Sequence, residues 1–183
     1  ITADADLDEI GPGSPDVEAP WPPLVTLGQD HDGWRMLNLE ALGAITLTGD
    51  PDNAEDLARY LLAELAVAPW ARDVEITLHD LFDDLAPAAT RTDQWLTSLE
   101  IDHVAAARAG QAGDELWIPR VVVTAASGDL DGLTELVTTH PGRTGVSVLL
   151  IGDQRTPASG VEVRLTATGR IEIPDLDLNL LAN

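Results

Sequence analysis

Apolar and polar positions along the chain change period several times, and each change marks an element. Leu24 to Gly28 and Trp34 to Leu39 alternate, as strands do when one face is buried. Between them Gln29-Asp30-His31-Asp32-Gly33 ends in an Asp-Gly turn signal, so a β-hairpin is expected. Leu39 to Gly43 leads into a short strand of buried type, Ala44-Ile45-Thr46-Leu47-Thr48. The period then becomes helical. Leu57, Leu61 and Leu65 recur on one side with Ala54, Ala58 and Leu62 beside them, which predicts a helix from about Asp52 to Ala68 packed on a sheet. Pro69 stops it, since proline has no N–H to continue the ladder. Asp73 to Leu78 alternates again, and strand, helix, strand makes a βαβ unit with a right-handed crossover.

Further along, Trp95, Leu96 and Leu99 followed by His103 to Ala109 suggest one or two short helices, interrupted by Pro87 and Gly110. Arg120 to Ala125 is β-branched enough for a central strand covered on both faces. A helix is expected over Asp129 to Thr139 and another buried strand over Gly145 to Ile151. Val161 to Leu165 and Arg170 to Ile173 alternate around Thr166-Ala167-Thr168-Gly169, a second hairpin signal. Asp175 to Leu181 reads as an amphipathic tail. Residues 1–23 show neither period and hold Gly11-Pro12-Gly13-Ser14-Pro15 and Pro20-Trp21-Pro22-Pro23, the composition of a linker. The expected organisation is an acidic Pro/Gly-rich linker over 1–23 and one α/β domain over 24–183. That domain is expected to be a three-layer sandwich with a mainly parallel sheet and marginal β-hairpins.

Charge narrows the partners. The formal net charge is −22 over 183 residues. Such acidity repels DNA, RNA and anionic lipid, so neither nucleic acid nor direct membrane contact is expected unless the chain mimics a polyanion. With no cysteine, disulfides and thiolate metal sites are excluded. No apolar run approaches a membrane span, and the acidic N-terminal stretch is unlike a signal peptide. A chain beginning Ile-Thr-Ala-Asp reads as a piece of a longer polypeptide.

The stretch with most bearing on function follows Thr48. Strand, glycine turn and helix is the layout of a phosphate-binding loop, G-x-x-x-x-G-K-[ST]. Gly49 fits the first glycine. Ala54 then stands for the second, Glu55 for the lysine and Asp56 for the Ser/Thr. A working loop presents backbone N–H groups, a helix N-terminus and a lysine to phosphate. Here Asp50, Asp52, Glu55 and Asp56 are expected in the first helical turn, where carboxylates satisfy the positive end of the helix themselves. The basic residues are all arginine, so no lysine is on hand. The expectation is a degenerate, non-catalytic loop with no cofactor.

Leu37 to Pro51, Ala68-Pro69-Trp70-Ala71, Pro119 to Val123 and Gly145 to Asp153 together resemble the degenerate P-loop-type domain of large actinobacterial membrane proteins. Those proteins carry LysM repeats and a bacterial transcriptional activator domain. More distantly, the same segments resemble the motor domains of FtsK-like DNA translocases. The resemblance implies a P-loop NTPase core without its acidic strand end, because Val121 to Ala126 finishes with no Asp or Glu and Asp129 lies too far along. It further implies a cytoplasmic module of a membrane-anchored parent, bound to a protein partner or to neighbouring domains of its own chain.

Other chemistry can be weighed residue by residue. Asp50-Pro51-Asp52 after a strand is also the layout of a divalent-metal phosphohydrolase of haloacid dehalogenase type, with Asp50 as nucleophile, but Gly49 intervenes and that family's lysine is missing. His31, His79, His103 and His140 show no metal-ligand spacing. Asp30, Asp32 and Asp153 sit where turns and strand ends attract aspartate without a metal, so no metal is expected. Ser127 and Ser159 lack a nucleophile-elbow setting. Arg143 invites comparison with an arginine finger but is placed to complement a helix C-terminus, and Trp34 on an edge hairpin is placed for a partner surface. Trp34 and Arg143 are therefore the candidate interaction residues.

Overall fold

A computed structural model describes residues 23–72, 74–79, 81–82, 119–125, 131–142, 144–153, 155 and 160–182. Expectations that fall on the linker, on the helices between 83 and 118, or on Ser127, Asp129, Arg143 and Ser159 lie outside these residues.

The chain opens with a hairpin of β1 (Leu24–Asp30) and β2 (Gly33–Asn38). Asp30 closes its turn, accepting the N–H groups of Asp32 and Gly33 on Oδ1. A bulge at Leu27 shifts the register. Asn38 caps the short helix α1 (Leu39–Leu42) by accepting the Ala41 N–H. Next come β3 (Ala44–Gly49) and α2 (Pro51–Val67), then β4 (Glu75–His79), β5 (Arg120–Ala125), α3 (Asp131–Thr139) and β6 (Val146–Ile151). The chain continues through β7 (Val161–Leu165) and β8 (Arg170–Ile173) to β9 (Leu178–Ala182).

The nine strands of the described residues join one sheet in the order β2-β1-β9-β8-β7-β3-β6-β5-β4. From β7 to β4 every pairing is parallel, and from β7 outward to β2 every pairing is antiparallel. The molecule is a mixed α/β sheet with a parallel centre and few helices. Two expectations are corrected. The second hairpin is not marginal, because β7 pairs with β3 and carries the parallel core into the antiparallel half. The tail is not amphipathic packing but the strand β9, seated between β8 and β1.

Alternation assigns the faces. On β3, Ile45 and Leu47 join Leu57, Leu61 and Leu65 of α2, while Ala44 joins Leu133 and Val137 of α3. β5 reads Val-Val-Val because Val121 and Val123 meet the first cluster and Val122 the second, each with no exposed surface. Burying the leucines of α2 stabilises by roughly 2 kcal/mol apiece. The α2 cluster extends through Val163, Leu165, Ile171 and Leu180 to Val25 and Leu27, so one apolar layer runs under both halves of the sheet.

Candidate functional site

In an open α/β sheet, ligands bind beyond the carboxyl ends of the strands, where successive connections leave in opposite directions. That point is the crevice between β3 and β6. From β3 the chain leaves through α2 towards β4, and from β6 it crosses back to β7 on the far side of β3. Gly49, Asp50 and the first turn of α2 stand at its mouth.

What stands there is a closed junction. Only Asp50 separates β3 from α2. Pro51 is the first helical residue, where its fixed φ fits and its missing N–H costs nothing. Helix entry is therefore one residue earlier than expected. Asp50 is the N-cap, and its carboxylate accepts the Asn53 N–H at 3.1 Å. Ala54 is buried within the helix, while Glu55 and Asp56 fall beyond the first turn and are exposed. The expectation that Glu55 and Asp56 belong to that turn is thus corrected, because with Pro51 as the first helical residue both fall in the second turn. Glu55 pairs with Arg59 at 2.9 Å.

Most of the groups that would face a phosphate have partners within the chain. The Asp50 N–H donates to the Leu165 carbonyl at 2.9 Å, and the Ala54 N–H to the Asp50 carbonyl at 3.0 Å. Asn53 sends its side-chain amide to the Thr166 carbonyl at 2.9 Å. With Pro51 lacking a donor, the Asp52 N–H alone in this first turn has no acceptor among the described residues. Gly49 is held at φ +94, and a Cβ there would lie 2.1 Å from the Leu165 carbonyl oxygen. Its glycine thus answers to the end of β7. Leu165, Thr166 and Asn53 are the residues that sequence reasoning missed. The first two lie more than a hundred residues away, and nothing local marks them.

At the neighbouring strand ends, Thr124 of β5 lies 3.3 Å from His79 of β4 and also donates to the Ala125 carbonyl. Among the described residues, β5 brings no carboxylate to this edge. Thr48, buried on β3, donates to Glu162 at 2.8 Å, and Glu162 also takes Arg164 at 3.1 Å. At the amino end of β5, burial pulls the Arg120 guanidinium below its ordinary value, partly offset by its ion pair with Glu75.

Among the described residues, the Asp30, His31 and Asp32 side chains form a group whose ligand-type atoms lie within 4.8 Å of one another. Asp30 there is fully engaged, with Oδ1 holding the turn and Oδ2 taking Arg35 Nε at 2.6 Å. The Arg35 hydrogen bond holds the Asp30 carboxyl below the ordinary carboxylate value. This cluster shapes a turn. Trp34 lies next to it, 56% exposed on β2. No helix among the described residues is long and apolar enough to cross a membrane.

No family model matches the chain, and no curated protein does. Solved structures do. Thermomonospora curvata EccC (ATPases 2 and 3), in complex with a signal sequence peptide, is 16% identical with a TM-score of 0.59, over 96% of this chain and 47% of that one. The pCW3 conjugation coupling protein TcpA, solved with ATPγS, is 13% identical with a TM-score of 0.60, over 91% and 66%. EssC (ATPases 2 and 3) from Geobacillus thermodenitrificans is 11% identical with a TM-score of 0.59, over 87% and 40%. The chain thus spans less than two thirds of each. At these identities the likeness shows the fold alone, a mixed α/β fold shared with these ATPase domains.

Proposed function

We propose that this chain is a non-catalytic P-loop-like module that serves protein interaction or regulation within a larger protein. The observation that carries the reading is the junction of β3 and α2. One residue spans it, its N–H is given to Leu165 and its carboxylate to Asn53, which leaves no loop to wrap a triphosphate. Carboxylates at Asp50 and Asp52 repel the same ligand. The phosphohydrolase alternative has less support, because the Asp50 carboxylate is turned onto its own helix. The acidic nucleic-acid mimic rests on net charge alone.

The finer picture belongs to the same proposal. The domain is a three-layer sandwich, its partner is a protein or a neighbouring domain, and its parent is a membrane-anchored protein of the LysM and transcriptional-activator type, with this part cytoplasmic. The presence of a signal sequence peptide on EccC is a precedent for peptide binding on this fold. Calorimetric titration with MgATP and MgGTP tests the central claim, with turnover of a generic phosphate ester measured alongside. The expected result is no binding heat and no turnover. Saturable heat, or turnover lost in Asp50→Asn, overturns it.

A further inference from the structure

The outer edge of β2 offers a second place to look for function. β2 ends the sheet, and no strand among the described residues pairs with its outer side. Every second residue of an edge strand turns its N–H and C=O outward, a template that soluble proteins usually guard with lysine, proline or a bulge in the edge strand. β2 reads Gly-Trp-Arg-Met-Leu-Asn, with no lysine or proline and with the bulge on β1; its one charge, Arg35, is drawn to Asp30 and Asp32 at the turn. Its two outward side chains are Trp34, 56% exposed, and Met36, 42% exposed. Directly across the strands from Trp34 lie Gln29 and then Leu181, which is 58% exposed. Two exposed apolar side chains, Trp34 and Leu181, therefore stand either side of Gln29 on one face.

Such an edge takes a strand. Backbone pairing supplies affinity, and alternate side chains of the incoming strand lie over Trp34 and Met36. Charge selects which strand. Among the described residues around β2 and the Leu181 row, the carboxylates of Asp30, Asp32, Glu40 and Glu64 outnumber the guanidiniums of Arg35 and Arg170. A second copy of this chain brings another net charge of −22, and residues 1–22 bring six carboxylates and no arginine, so both are repelled. A basic segment is attracted, and its cations can also sit on the Trp34 ring.

We propose that the β2 edge is a docking site for an extended, basic segment of a protein partner, which adds a tenth strand to the sheet. This rests on the reading of the chain as an interaction module, though not on the closed nucleotide site. The test uses a fluorescein-labelled octapeptide alternating Val and Lys, with two controls: the same composition interrupted by Pro, and an alternating Val and Glu peptide. Anisotropy gives affinity and amide hydrogen exchange gives position. The Val-Lys peptide is expected to bind, to protect amides of residues 34–38, and to lose affinity by about tenfold in Trp34→Ala and in Met36→Lys. Both substitutions lie on exposed side chains, and thermal unfolding checks that each variant folds.

Equal binding by the Pro-interrupted peptide would mean charge attraction without strand pairing, and protection confined to β4 would mean the other edge. Either result, binding by the Val-Glu peptide as strong as by Val-Lys, or no binding at all, overturns the proposal. The nucleotide titration separates the two claims. Peptide failure with no nucleotide heat removes this surface alone, and nucleotide heat with intact peptide binding removes the closed site alone.

Discussion

Gly49→Ala should cost stability for two separable reasons, and a second glycine in the same molecule separates them. Gly49 has φ +94, and the added Cβ would sit 2.1 Å from the Leu165 carbonyl oxygen and 3.1 Å from its carbonyl carbon. Gly169, in the β7–β8 turn, has φ +73 but nothing within 4 Å of an added Cβ. Gly169→Ala therefore reports the cost of the left-handed backbone alone, about 1–2 kcal/mol. At Gly49 the same cost applies, and the ends of β3 and β7 must also part, which breaks the Asp50 N–H bond to Leu165. That adds roughly 1–3 kcal/mol for the bond and the strain. The total is about 2–5 kcal/mol. Urea denaturation by linear extrapolation measures both variants, with an unchanged slope as the sign that the unfolded states match. A Gly49→Ala variant no less stable than Gly169→Ala would refute the claim that this glycine exists for its contact with β7.

Asp50→Ala should destabilise by about 1 kcal/mol through loss of the cap, and Asp50→Asn by much less, since asparagine also caps; equal losses in the two would argue against capping. Glu64 of α2 accepts both the N–H and the hydroxyl of Thr26 at 2.7 Å beside the β1 bulge, so Glu64→Ala should cost roughly 1–3 kcal/mol and raise hydrogen exchange in the β1–β2 hairpin. Because Arg35 holds the Asp30 carboxyl below its ordinary value of 3.8, the hairpin's stabilisation from this pair is present above that pH and fades as the pH falls through the lower folded value. The Gly33 amide shift should titrate with a midpoint under 3.8 that rises in Arg35→Gln, and a midpoint indifferent to Arg35 would count against the pairing.

Most strands and the long helix could be read from the sequence because their periods are unmixed. Val121 to Val123 and Val148 to Ile151 are continuous apolar runs, which suit strands covered on both faces. The β1–β2 turn was marked by Asp32-Gly33, and α2 by its leucines. β9 was hidden by its setting. Leu178-Asn179-Leu180 does alternate, but the preceding Pro174–Leu176 is a short 3-10 turn capped by Asp177, and the mixture blurred both periods. At the candidate site, the absence of lysine and the surplus of carboxylates were legible locally. The closure was not, because Leu165 and Thr166 reach Asp50 and Asn53 only through the β3–β7 pairing, and periodicity within a segment carries no information about which segments become neighbours.

The place of β9 has a consequence for how the chain is made. The hairpin is synthesised well before β9, yet on its sheet side it meets that strand, drawn from residues 178–182. Until those residues leave the ribosome, β1 has no such neighbour, and a nascent chain holds two unpaired borders, one on β1 and one on β8. Translation must therefore pass residue 182 before the antiparallel half can close, so a ribosome stalled between β8 and β9 would release a species with adhesive strands on both sides of the gap.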